Sequence, residues 1–533
     1  GKNISTGASA NGSFTIGICL LFIKIAINPG GGYNEGVSRE ILQIMDADGD
    51  GFPDVLRSDD EDQLIVQSST IGRTNMLKTV NRPMHSSFTM TYELTGNTYE
   101  LPQSKWLLSS VDLFDGLADD GADHIKTTFA YENGEYNRRE RDFYGFKTVT
   151  TRQLDTDNND NVYRTITQTY KNDNYYEKGL LISEIMYDQD DRPFTETVNT
   201  YELRDAGTGG SFDPFSLDGR GFPALVETEK RFYEGDTAAG LTNRIAYSYD
   251  NTGNVIEYTD YGDGNPDDVL TAKIDYHNLT AAYILSMPKS IEVLDFNGAR
   301  LRYRDATIDG KGNVTQIRQY LESGDAAVYD MAYEANGNLQ KLTRPANTNG
   351  ERLFYEYTYD PEVQTYVTHV KDAYGYESQS AYDYAFGQVV ESIDMNQQRI
   401  KYSLDAKGRI DTVVGPYELA RGLPFTIVNS YNPEAPVPYA TTKHFDPANN
   451  GEIVTITFMD GLQRPVQVKK TGSLFVDKNQ PDQPVMIVSG RVIFDAFGRT
   501  VKNYYPVTES ISGGNNTFNT TSDGVPPTVT TYD

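Results

Sequence analysis

Four aspartates, Asp46, Asp48, Asp50 and Asp54, fall in the run Asp46-Ala-Asp48-Gly-Asp50-Gly51-Phe-Pro-Asp54. Carboxylates spaced in this way along a loop can converge on one hard cation, and a glycine at the sixth position permits the sharp turn that brings them together. The chemistry expected is structural binding of Ca²⁺ or another oxygen-seeking ion. The run is not an EF-hand, because Arg57 stands where a bidentate Glu would close the site and the flanks, Ile41 to Met45 and Val55-Leu56, do not read as a helix pair. The competing reading is an Asp-Gly turn that needs no ion. Two other acidic stretches, Asp155-Thr-Asp157-Asn-Asn-Asp160-Asn161 and Asp260-Tyr-Gly-Asp263-Gly-Asn-Pro-Asp267-Asp268, lack the full frame and read as solvated loops.

No catalytic constellation emerges from the remaining residues. His85, His124, His277, His369 and His444 are scattered without ligand spacing, and no Gly-x-Ser-x-Gly elbow is present. The stretch Gly30-Gly31-Gly32-Tyr-Asn-Glu-Gly36 fits neither a dinucleotide fingerprint nor a phosphate loop, since no Lys-Ser/Thr follows it. The two carboxylates of a glycosidase can lie far apart in a chain, so that activity stays open on sequence, but Trp106 is the only Trp available for stacking on sugars. The expectation is a protein without enzymatic activity.

The elements that position these residues are strands. Runs rich in Tyr, Val, Thr, Ile and Phe, such as Thr127 to Tyr131, Tyr163 to Tyr170, Thr195 to Tyr201, Leu353 to Tyr359 and Ile453 to Phe458, recur between turn residues spaced about 10 apart, which predicts an all-β, antiparallel chain. The apolar stretch Phe14 to Ile27 contains Lys24 and is too short to span a membrane as a helix, so a buried hairpin or strand is expected there. With 533 residues the chain has room for three or four domains or for fewer large β units. A net charge of −29 opposes binding to phosphate backbones and anionic lipid. Aromatics at 12%, with 38 Tyr and 46 Gly, argue against disorder. Cys19, the one cysteine, excludes an intrachain disulfide framework.

Aligning the turns exposes a repeat. An acidic residue three positions before Gly, with Asn or Arg after that Gly, recurs at Asp250/Gly253/Asn254, Asp309/Gly312/Asn313, Glu334/Gly337/Asn338, Asp405/Gly408/Arg409 and Asp495/Gly498/Arg499. Looser copies begin at Asp188, Asp383 and Asp460. The frame predicts a hairpin in which an aromatic ends one strand, Asp accepts from backbone N–H groups two or three residues on, and Gly supplies a positive φ. Gly-to-Gly intervals of 25 (312 to 337) and 21 (387 to 408) correspond to a pair of strands per repeat, so stacked hairpins should form one long sheet. The final Tyr532-Asp533 reads as the opening of another frame, hence as part of a longer array.

These Tyr-Asp-x-x-Gly-Asn/Arg frames resemble the YD repeats of Rhs proteins. The loop at 46–54 resembles the integrin-like (FG-GAP) repeats found upstream in the B component of insecticidal toxin complexes and in the Salmonella virulence-plasmid B protein, and Arg139-Glu-Arg-Asp142-Phe143-Tyr144-Gly145-Phe146 is similar to the sequence between those regions. The resemblance implies a spiral β-sheet shell around a polypeptide effector, preceded by the end of a propeller-type segment. On that basis residues 1–60 are expected to be propeller-type, 61–180 a β-rich connector and 181–533 the YD-repeat sheet. Expected partners are other toxin-complex subunits, an encapsulated effector or secretion machinery, and the expected location is outside the cell or on its surface. No self-cleaving aspartate and no toxin domain can be assigned to any residue here. A surface adhesin or secretion-system substrate using the same repeats as a scaffold, and a glycan-active enzyme on a β-scaffold, are the alternative readings.

Overall fold

The computed structural model describes residues 2–6, 16–20, 23–27, 35–39 and 42–532, apart from 59–61, 72–73, 103, 119, 217–218, 449–450 and 512–514. Near the N-terminus the strands Lys2–Thr6, Ile16–Leu20, Ile23–Ile27 and Glu35–Arg39 form one antiparallel sheet. Leu20 pairs with Ile23, so the apolar stretch from Phe14 to Ile27 is a hairpin at the level of the backbone. The burial expected for it and the side chain of Cys19 lie outside the described residues. A second small sheet joins Leu42–Met45, Asp54–Arg57 and Ile65–Gln67, with the 46–53 loop as its first connection.

Almost everything else belongs to one antiparallel sheet. From Trp106–Phe114 to Gln483–Val488 every strand pairs with the next in sequence, and Val507–Ser510, Thr79–Asn81 and Ser87–Leu94 complete a closed order of 29 strands. The pairing of Tyr170 with Leu181 carries the sheet past residue 180 without a break. The expected all-β class is the observed one, with one α-helix, Pro416–Arg421, and four three-residue 3₁₀ segments among the described residues.

The repeated frame is the joint between strands. In the Asp250 copy, the backbone N–H of Gly253 donates to the Asp250 carbonyl, and the ladder slips by one residue between Ser248 and Tyr249. This is a tight turn followed by a bulge, which strengthens local twist and bends the sheet. The Asp250 carboxylate accepts from the N–H groups of Thr252 and Asn254, and Asp309, Asp405, Asp460 and Asp495 accept from the corresponding pairs. The second donor is thus four residues on, not three, because the turn places the return strand's first N–H beside the carboxylate. Asp383 differs, accepting from Ala385 and Phe386, since its glycine comes one residue later.

Tyrosines tie each hairpin to the one before it. Tyr276, Tyr333, Tyr359 and Tyr431 donate their hydroxyls to the carbonyls of Val255, Val314, Leu339 and Ile410, at 2.8, 2.8, 3.1 and 3.0 Å. Each acceptor is the first residue after the Asn or Arg of an earlier frame. Tyr532 makes the same contact with Thr500, at 2.9 Å. Such a bond contributes about 0.5–1.5 kcal/mol and fixes spacing between neighbouring turns.

This sheet is one layer thick over most of its length. Every residue of Trp106–Phe114 and of Leu180–Tyr187 is half-buried, so neither face is packed against a second layer. The chain exposes 32595 Å², whereas a compact chain of this mass would expose about 19,000 Å². Full burial is concentrated near the last strands, where Leu117, Ile456, Phe458, Val466, Met486 and Phe494 form one cluster.

Candidate functional site

In the first acidic loop, local Asp-turn bonding shapes the chain. Asp46 accepts from the N–H groups of Gly49 and Gly51, Asp48 from that of Asp50, and Asp50 from that of Phe52. One oxygen each from Asp46, Asp48 and Asp50 lies within 4.8 Å of the others. Asp54, the fourth expected ligand, is placed differently. It is fully buried, and its two oxygens accept at 2.8 Å from the N–H groups of Ala47 and Ser69. The Ser69 and Ala47 bonds hold its carboxyl below the ordinary range despite burial. Asp54 therefore knits the small sheet together, while the other three face a common space. The Ser104 hydroxyl donates to the Gly49 carbonyl, attaching this loop to the segment that enters the large sheet.

The second site is a seam where the two ends of the large sheet meet. Residues 83–86 and 115–123 press against the turns at 460–464 and 494–499. The Gly461 N–H donates to the Asp115 carbonyl at 2.7 Å, and the Ser86 hydroxyl donates to the Gly461 carbonyl at 2.8 Å. Phe494 donates its N–H to the Asp120 carbonyl and accepts from Ala122 through its own, which clamps two segments backbone to backbone. Gly121 sits in that clamp at φ 128°, and a Cβ there would lie 1.9 Å from the Phe494 carbonyl oxygen. Farther along, Tyr163 packs its ring on Phe497 with centroids 3.9 Å apart, and Arg499 donates to its hydroxyl at 3.0 Å.

Charge is buried in the seam. Arg464 donates to the Asp460 carboxylate and, at 2.7 Å, to that of Asp115, which lies 349 positions earlier in the chain. Asp115 is 1% exposed, Asp120 4% and Asp460 0%. Both carboxylate oxygens of Asp120 are buried without a hydrogen-bond partner. Burial pushes Asp115 up to about 6, against the opposing pull of the Leu117 N–H and Arg464. Burial and then the neighbouring Asp115 carboxylate push Asp120 up to about 7. Beyond these acids, Lys469 is buried and donates to Glu509 at 2.7 Å and to the Thr517 carbonyl at 2.6 Å.

Residues 29–179 match the family profile described as the insecticide toxin TcdB middle/N-terminal region. The fold is similar to that of a TcdB2-TccC3 crystal structure, with a TM-score of 0.65 and 15% identity over 93% of this chain and 35% of that one. It is also similar to TcdB2-TccC3 without its hypervariable C-terminal region, with a TM-score of 0.66 and 14% identity over 93% of this chain and 37% of that one. A Photorhabdus luminescens Tc holotoxin pore carrying a TccC3 mutation gives 0.64 and 12%, over 93% and 36%. The chain resembles the B component of insecticidal toxin complexes. It spans little more than a third of the length of the structures it matches. No curated protein sequence matches it.

Within this toxin-complex-like sheet, the histidines assemble no centre: His85 and His277 bond to the carbonyls of Ala435 and Ala306, while His124 and His369 pair with Asp112 and Glu377. Among the described residues, metal-ligating side chains converge at two places only, the 46–50 loop and the seam. The stretches at 155–161 and 260–268 are not among them, and Asp155, Asp260 and Asp263 use their oxygens to cap local turns. Sequence reading missed the seam. Its one visible trace was the acidic run Asp115-Gly-Leu-Ala-Asp-Asp120-Gly-Ala-Asp123, whose partners lie more than 300 positions away.

Proposed function

We propose that this chain is a length of wall in a non-enzymatic shell of the toxin-complex kind, one that encloses a polypeptide effector. The observation that carries this reading is the single-layer sheet, closed on itself and exposing 32595 Å². Such a sheet has little packed core of its own, and its stability comes from neighbour-to-neighbour pairing, as a container wall requires. The likeness to TcdB2 structures supports the same reading, with an effector and other toxin-complex subunits as partners and a secreted location. No described helix is long and apolar enough to cross a membrane.

Small-angle scattering tests the reading. A hollow shell gives a pair-distance distribution skewed to long distances with a depleted centre, and a solid or rod-like distribution would sink the proposal. A second arm uses co-expression with a partly unfolded polypeptide, which should survive limited proteolysis only when the wall is present.

The loop at 46–54 is proposed to take a structural Ca²⁺, supported by the convergence of Asp46, Asp48 and Asp50 beside the Asp54 anchor. EDTA should lower the melting temperature of the chain and added Ca²⁺ restore it. An equal melting temperature with and without chelator, in both the parent and Asp48→Ala, would make the loop a turn and nothing more.

A further inference from the structure

We propose that the seam holds a Ca²⁺ ion on Asp115, Asp120 and Asp460, so that one cation bridges the two ends of the sheet. Three observations converge on it. One oxygen from each carboxylate lies within 4.8 Å of the others, no farther apart than two oxygens on one Ca²⁺ can be, up to about 5.2 Å at bond lengths of 2.3–2.6 Å. Mg²⁺ gives up its waters reluctantly and is seldom held by an all-protein set of buried carboxylates, whereas Ca²⁺ accepts one.

Asp120 supplies the second observation. It is 4% exposed, and neither of its oxygens has a hydrogen-bond partner. A buried carboxylate left in this way is costly, and in folded proteins such a group is ordinarily met by a donor, a water or an ion. A single proton on Asp120 would still leave its other oxygen without a donor, whereas a cation facing the cluster engages the carboxylate directly.

Charge balance is the third. Three carboxylates and the Arg464 guanidinium sum to −2 when ionised, and one divalent cation brings that sum to zero. Arg464 takes one oxygen of Asp460 and one of Asp115 and leaves both oxygens of Asp120, while the second oxygens of Asp115 and Asp460 accept from the Leu117 N–H and from the Leu462 and Arg464 N–H groups, so each would offer the ion a further lone pair. The backbone clamp between Asp120 and Phe494 and the bond from Gly461 to Asp115 hold the ligands at this spacing before any ion arrives.

The test separates the seam from the upstream loop by using the full chain carrying Asp46→Asn and Asp48→Asn. After dialysis against CaCl₂ and removal of free ion, elemental analysis should find about one Ca²⁺ per chain in this background and none when Asp120→Asn is added. Melting in CaCl₂ at a hundredfold excess over the dissociation constant should rise by about 2–3 °C, and by less in MgCl₂. Retention of Ca²⁺ by the Asp120→Asn chain would overturn the proposal. So would the absence of bound Ca²⁺ in the doubly substituted background, whether or not acidification then stabilises the protein as a shared proton would. Loss of Ca²⁺ from Asp120→Asn counts only where circular dichroism shows the fold retained, and the Ca²⁺ content of the doubly substituted background decides the proposal independently of that variant.

Discussion

The wall and the seam are made from the same hairpin but stabilised by opposite means. In the wall, as at Asp309, the turn aspartate is half-exposed, its pKa is held down by Asn313 and backbone donors, and the strands on either side, Arg300–Ile308 and Val314–Tyr320, contain no fully buried residue. In the seam, the equivalent aspartate of the 460 turn is fully buried and shares Arg464 with Asp115, and Phe458 and Val466 beside it are fully buried too. The same frame therefore tolerates both environments, and what changes is the layer above it. The loop at 115–123 and Phe518 cover the last strands, whereas nothing described covers the strands at 106–114 or 180–187.

The largest way to break this contrast is Arg464→Ala. It leaves two buried carboxylates without their cation partner and should cost about 3–5 kcal/mol, read as a loss in urea unfolding followed by the fluorescence of Trp106. An effect no larger than that of Arg409→Ala, whose partner Asp405 sits in the wall, would erase the distinction.

Next in size is pH, and the two regions should respond with opposite sign. Asp115 and Asp120 are raised to about 6 and about 7, so the folded state binds more protons than the unfolded one between about pH 4 and 7. In the ion-free protein, stability from the seam should fall as pH rises through that window, by on the order of 3 kcal/mol for the coupled group. Asp250, Asp309 and Asp405 are instead lowered. Their stabilisation is present above the unfolded carboxylate value and is lost as pH falls below it. Unfolding curves at pH 3, 5 and 8 check this, and a monotonic gain in stability up to pH 8 would contradict it.

Gly312→Ala is smaller. Its φ of 88° disfavours a side chain, but the atom a Cβ would meet is the flexible end of Ile284, so about 1–2 kcal/mol is expected. The same change at Gly121 meets backbone and should cost more, which denaturation of the two variants side by side would measure. The smallest effect is Tyr333→Phe, which removes the bond to Val314 and should cost about 0.5–1.5 kcal/mol with the fold unchanged by circular dichroism.

Much of the wall was legible in the sequence because its grammar is local. The frames at Asp250, Asp309, Asp405 and Asp495 are all turns with the expected Asp and Gly roles. Three further copies, at Asp295, Asp372 and Asp394, escaped notice because Ala299, Tyr376 and Gln398 stand where Asn or Arg was sought, and Gln397 takes the positive φ that Gly takes elsewhere. Tyrosine frequency was visible, but its reason was not, since the acceptor of each hydroxyl lies on another hairpin. The 46–54 loop was found by spacing alone, yet spacing could not separate Asp54, whose oxygens are engaged by Ala47 and Ser69, from the three aspartates that converge. The seam was invisible for a different reason. Its acids read locally as Asp-Gly turns, and only closure of the whole sheet brings them together.

The tyrosine bonds between successive turns also set an order of assembly. Each hairpin needs only the one before it, about 20 residues back, so the sheet can extend as the chain is synthesised, at low loop-closure cost per step. The Asp115–Arg464 contact spans 349 positions, and no strand-by-strand growth can form it before the last hairpins exist. Ring closure is then the final and slowest event, and a pulse-labelling hydrogen-exchange experiment should see the amides of Gly461 and Phe494 protected after those of the central hairpins.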